Sequence, residues 1–164
     1  MRPVSLFPFP FSRFIAPMSL PNVGRLLGLD WGEVRIGLAL SDETQTLATP
    51  LETLVRRRGK RFPMARFLEL VGEHQPAGVV VGLPLTGEGE EEDSAVSARK
   101  LAGELTERTG LRVELWDERM STARALAAIR EQGGSTRGRR EDVDSLAAAV
   151  LLQHYLDARR ARAK

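Results

Sequence analysis

The chain has 164 residues, no cysteine and a formal net charge of +2. That length suits one domain and is enough to bury a core unaided. The missing cysteines exclude a disulfide scaffold, thiolate chemistry and Cys-ligated zinc and fit a reducing, cytoplasmic setting, and the small net charge excludes a bulk polycation. Residues 1–17 hold Pro3, Pro8, Pro10 and Pro17 with Phe7, Phe9, Phe11 and Phe14 between them. Repeated prolines forbid a stable helix there, and the spacing leaves no signal-peptide core. The expected organisation is a disordered extension over 1–21 and one folded domain over 22–160, with Met18 a candidate initiator just ahead of the folded pattern. No apolar run reaches the roughly 18 residues of a membrane span.

From residue 25 the pattern becomes regular. Residues 25–31 (RLLGLDW) read as a buried strand, and 34–41 (VRIGLALS) alternate as a second, joined by a short hairpin link. Residues 46–55 supply a third strand, in which Pro50 marks an edge or a bulge. Phe62, Phe67, Leu68 and Val71 give 62–74 a helical period. Residues 78–83 (GVVVGL) form the continuous β-branched run of a strand covered on both faces. A loop from Pro84 leads to a helix at about 94–109 that stops at Gly110. Residues 111–116 (LRVELW) alternate as a strand ending at Asp117–Glu118. A helix is expected at 121–132, capped by Ser121 or Thr122, and the last at 141–160, burying Val143, Leu146, Ala147, Val150 and Leu151. The order β-β-β-α-β-α-β-α-α predicts an α/β domain with a mixed five-stranded sheet flanked by helices, the order of an RNase H-like fold.

Charge is placed unevenly. Arg56, Arg57, Arg58, Lys60, Arg61 and Arg66 crowd one stretch, Arg137, Arg139 and Arg140 a second, and Arg159, Arg160, Arg162 and Lys164 the tail. Such clusters serve phosphate-backbone binders and also ordinary solvated surfaces. Three acids stand out against apolar surroundings. Asp30 lies between Leu29 and Trp31, where a carboxylate is costly unless paired or metal-bound; capping the turn at Gly32 is the alternative. Glu118 ends the strand RVELW, or serves as a helix N-terminal acid. Asp144 shares a helix face with Ala147, Ala148, Leu151 and Tyr155, at the margin of the buried stripe, whereas Glu141 and Asp142 suit the first turn. Three carboxylates on separate elements favour a hard divalent cation, Mg²⁺ or Mn²⁺, over zinc. His74 and His154 form no catalytic pair, and Trp31 and Trp116 read as core.

The segments LGLDWGEVRIGLALSD (27–42), VVVGLPLTGEG (79–89), LWDERMST (115–122) and DVDSLAAAVLLQHYL (142–156), in this order, closely resemble the YqgF (RuvX-like) family of bacteria. The resemblance covers about residues 24–157. It implies an RNase H-like fold and a metal-binding catalytic triad at Asp30, Glu118 and Asp144. It also implies phosphodiester hydrolysis in maturation of the 5′ end of small-subunit ribosomal RNA, with resolution of four-way DNA junctions as the alternative. Structured nucleic acid, precursor rRNA or branched DNA, is the expected partner, with the small-subunit precursor as its setting and a monomer or homodimer as the working form. Arg35, Arg119, Thr122, Arg137, Arg139 and Arg140 are the candidate nucleic-acid contacts. The chain departs from the family pattern at Glu33–Val34 and at Thr86–Gly87–Glu88, where Asn commonly follows G-L-P-L, so substrate contacts differ more than the triad does. Two other readings compete. D-x-G before a hairpin also opens the phosphate-binding lobe of sugar kinases and actin-like ATPases, but those need two lobes and this chain has room for one. A non-catalytic RNA-binding or antitermination factor is the other, against which three clustered carboxylates speak, since they repel nucleic acid.

Overall fold

The computed structural model describes residues 19–32, 34–57, 60–83, 90–117 and 140–164, with side chains of 90–95 and 140–142 excepted. Five strands form one sheet: β1 (Leu26–Asp30), β2 (Arg35–Ser41), β3 (Ala48–Val55), β4 (Gly78–Leu83) and β5 (Val113–Asp117). Their spatial order is β3-β2-β1-β4-β5. The first three strands pair antiparallel, and β4 and β5 join β1 in parallel. The three helices described are α1 (Met64–His74), α2 (Glu90–Thr109) and α3 (Arg140–Arg162). The expected mixed sheet is therefore present. The helix expected over 121–132 lies outside the described residues.

The period-two alternation of strands sorts the side chains onto two faces. Leu27 and Leu29 of β1, Ile36 and Leu38 of β2, and Val79 and Val81 of β4 pack with Phe67 and Leu70 of α1 and with Leu101 and Leu105 of α2. Leu26, Ala39, Val80 and Trp116 pack on the opposite face with Leu151, Leu152, Tyr155 and Leu156 of α3. Each large side chain so enclosed contributes about 1.5–3 kcal/mol relative to exposure. β4 needs apolar residues on both faces because helices cover both, which is why its sequence reads as an unbroken run.

Local chemistry sets the boundaries. β3 is the sheet edge, and Pro50 faces Ala39 beside a register shift at Leu38/Ala39, so the proline costs no bond in the sheet interior. α1 ends where Gln75 takes a left-handed conformation (φ 46°) and Pro76 cannot continue the helix. α2 ends at Gly110, also left-handed, whose N–H donates to the Thr106 carbonyl at 2.9 Å. The turn between β2 and β3 is built on Asp42, whose carboxylate accepts the N–H groups of Thr46 (2.7 Å) and Leu47 (3.1 Å) and the Thr44 hydroxyl (2.7 Å). These bonds, led by that from Leu47, hold the Asp42 carboxyl below its ordinary range.

One expectation about α3 needs correction. Leu146 is exposed, and Val143 and Val150 are only partly covered; Ala147 and Leu151 are buried as expected, and Ser145, Ala148, Ala149, Leu152, Tyr155 and Leu156 complete the stripe. The run of alanines lets the helix axis come close to the sheet, and the contact stripe follows the small residues rather than the branched ones.

Candidate carboxylate site at the end of the first strand

Asp30 is the last residue of β1 and is 6% exposed. Its even-numbered position puts it on the α3 face, with Leu26. Its cross-strand neighbours are Gly37 of β2 and Gly82 of β4, and Gly82 in turn faces Trp116 of β5. The carboxylate thus stands between two residues without side chains.

α3 delivers the second acid. A Cβ built on Gly37 would overlap the backbone oxygen of Asp144. Only glycine at position 37 lets the first turns of α3 rest on β2. Adjacent strands lie about 4.8 Å apart, so seating Asp144 over Gly37 brings it beside Asp30 on the same face. Gly28 repeats the device two register pairs away, where an added Cβ would lie 2.9 Å from the Leu152 Cβ. The sequence signal for both is a glycine inside a strand of alternating apolar residues, which marks a close backbone approach.

Arg35 occupies the same face at the start of β2, and its Nη1 lies 3.7 Å from Oδ2 of Asp144, with the two side chains 34% and 26% exposed. The guanidinium thus sits against a candidate metal-binding acid. An ion pair this open to water is worth at most about 1 kcal/mol, so its importance is local charge rather than stability.

Further along the α3 face, beyond Gly82, the packing is aromatic. Trp116 is buried edge-on against Tyr155, with centroids 5.4 Å apart and planes at 87°. The Tyr155 hydroxyl donates to Oε2 of Glu114 at 2.6 Å. Burial, and then the Glu114 carboxylate, push the ionisation of Tyr155 well above the ordinary tyrosine range. Trp116 is core, as expected. Trp31 is only half-covered and borders a surface cavity.

Of the candidate residues, Arg35 pairs with Asp144, and the Asp144 backbone rests on Gly37, the cross-strand partner of Asp30. Glu118, Arg119, Thr122, Arg137 and Arg139, and the side chain of Arg140, lie outside the described residues. Among the described residues, no three His, Cys, Asp or Glu side chains converge as a metal-binding group. His74 sits half-buried in the last turn of α1, 3.9 Å from Glu73, and His154 lies half-buried on α3. The tail arginines are partly structural: Arg159 donates to the Leu20 and Pro21 carbonyls and to Asn22 and Gln45, fastening α3 to the residues before β1.

Comparison with known proteins identifies a family and a fold. The family model described as "RuvX: Holliday junction resolvase" matches residues 24–158. A protein of Anaeromyxobacter sp. (strain Fw109-5) named "Putative pre-16S rRNA nuclease" is 48% identical over 137 residues, spanning 84% of this chain and 99% of the relative. One of Nocardia farcinica with the same name is 42% identical over 151 residues, spanning 88% and 84%. Among solved structures, Thermus thermophilus RuvC in complex with a Holliday junction substrate superposes with a TM-score of 0.53 at 20% identity, covering 84% of this chain and 96% of that one; the likeness is one of fold.

Proposed function

The chain belongs to the RuvX (YqgF) family, and on that premise we propose that it is a metal-dependent nuclease acting on precursor 16S rRNA, with Asp30, Glu118 and Asp144 as its catalytic carboxylates. The observation that carries the reading is Asp30 itself. It is a buried acid at the carboxyl end of a central strand, flanked in the sheet by Gly37 and Gly82, with Asp144 held to its side by the glycine contact. In α/β sheets this edge is where ligands bind. The relatives' names supply the substrate. Among the described residues no helix is long and apolar enough to cross a membrane, and the work of such a nuclease belongs in the cytoplasm.

The donor set fits a hard cation. Asp30 and Asp144 offer only oxygen, the donor that Mg²⁺ and Mn²⁺ prefer, and both of Asp30's cross-strand neighbours are glycines. Mg²⁺ or Mn²⁺ held there would activate water and support the leaving oxygen. The protein's own part is to gather like charges that would otherwise repel. Arg35 offsets the charge of Asp144 and presents a planar fork to phosphate. The hydrolysis cleaves the P–O3′ bond, leaving a 5′-phosphate and a 3′-hydroxyl.

The test is cleavage of a precursor-rRNA 5′-end model and a four-way DNA junction, side by side, with Mg²⁺ or Mn²⁺. Metal-dependent cutting of the RNA that Asp30→Asn abolishes is the expected result. Cutting of the junction alone would move the assignment to a resolvase, and retained RNA binding with no cutting of either would leave a binding factor.

A further inference from the structure

We propose that the cavity beside Trp31 is a subsite for single-stranded nucleic acid, which receives the strand that runs past the carboxylates; the idea rests on the nuclease reading above. The cavity measures about 680 Å³, within the roughly 300–1,000 Å³ of small-molecule sites. Trp31, Phe62 and Leu101 give it an apolar floor, and Arg61, Lys100 and Arg108 stand exposed at its rim. Trp31 directly follows Asp30. Successive strand side chains point to opposite faces, so the cavity opens on the α1/α2 side of the sheet edge whose other side carries the acid. Their Cα atoms are about 3.8 Å apart, and a strand rounding that edge meets both.

Two further observations favour this occupant. The floor is rigid: Trp31 and Phe62 stack at 26° with centroids 6.4 Å apart, and the Arg56 guanidinium lies 4.3 Å over the indole while donating to the carbonyls of Gly32 (3.4 Å) and Lys60 (3.0 Å). The rim cations are also uncommitted. Arg66, from the same basic stretch, is held by Glu52 and Glu69 at 2.7 and 2.8 Å, whereas Arg61, Lys100 and Arg108 make no ion pair with another described residue, although Glu104 and Glu107 share the wall. Cations around an aromatic floor suit a phosphate chain with unpaired bases. An unpaired base offers the flat face that an aromatic floor stacks. The two glutamates can accept hydrogen bonds from base amines or 2′-hydroxyls.

The test uses fluorescence anisotropy with a labelled single-stranded RNA of about 12 nucleotides, a length that one such site can span, in EDTA so that nothing is cut. Lys100→Glu and Arg99→Glu make the same charge change at adjacent exposed positions of α2, and only Lys100 lines the cavity. Lys100→Glu is expected to weaken binding about tenfold and to lower the salt slope by about 0.7, against less than about twofold for Arg99→Glu. Equal losses in the two variants, or no binding by the unmodified protein, would overturn the subsite. So would a duplex of the same sequence that binds as tightly and responds as strongly to Lys100→Glu. The nuclease reading is judged separately: cleavage lost in Asp30→Asn keeps it standing whatever Lys100 does, and selective loss in Lys100→Glu without any cleavage would remove it and leave a binding site.

Discussion

Gly37 of β2 lies against the backbone carbonyl of Asp144, so closely that a single added carbon would overlap that oxygen. Because Gly37 is also the cross-strand partner of Asp30, one missing side chain sets the distance between two candidate catalytic acids.

Gly37→Ala should therefore damage stability and site together. Overpacking costs about 3 kcal/mol when the backbone must shift, which in a protein of this size lowers Tm by roughly 6–12 °C. Thermal unfolding followed by circular dichroism reads this directly. An unchanged Tm would mean that α3 can lift from β2 without cost.

Gly103→Ala gives the opposite result. Gly103 is exposed inside α2, and a Cβ there meets nothing within 4 Å. Relieving the unfolded chain's excess freedom and the poor helix propensity of glycine should stabilise the fold by about 0.5–1 kcal/mol. A denaturation midpoint that fails to rise under urea would contradict the open environment.

Asp30→Asn and Asp144→Asn are expected to separate chemistry from binding. Each should cut the cleavage rate by more than the roughly ten- to hundredfold typical of losing an outer-shell partner, with RNA affinity in EDTA kept or improved as negative charge is removed. Arg35→Met, which breaks an open ion pair, should change stability by less than about 1 kcal/mol. If Asp144→Asn cleaves normally, the acid has no part in the chemistry.

Tyr155 is the sole tyrosine, so absorbance at alkaline pH reports it without ambiguity. Its ionisation is raised in the folded state by burial and by Glu114, whereas the unfolded value is about 10. A raised folded value means the stabilisation is complete below pH of about 10 and is lost as pH rises beyond it, because only the unfolded chain then gains by releasing the proton. The folded midpoint should lie above the ordinary one, and Tyr155→Phe should remove this part of the alkaline decline. A midpoint at the ordinary value would show that the hydroxyl is open to solvent.

Chelation is the remaining test. EDTA should abolish cleavage and leave substrate binding in place, and restoration by Mg²⁺ or Mn²⁺ but not by Zn²⁺ would match an all-oxygen donor set. Cleavage that persists in EDTA would remove the metal from the proposal.

Much of this protein was legible in the chain alone. The continuous run Gly78–Leu83 announced a strand covered on both faces, Pro50 an edge, Gly110 a stop, and Asp30 a charge without an ordinary place in an apolar strand, because each depends on local conformational or desolvation costs. What the sequence could not decide were contacts made across the fold. Leu146 looked like core and faces solvent, because the alanines beside it set how α3 approaches the sheet. The pairing of Arg35 with Asp144, the seat of α3 on Gly37, and the cavity joining Trp31 to Lys100 all link residues distant in sequence. Periodicity tells which face a side chain takes; only the packing of one element on another tells what it meets there.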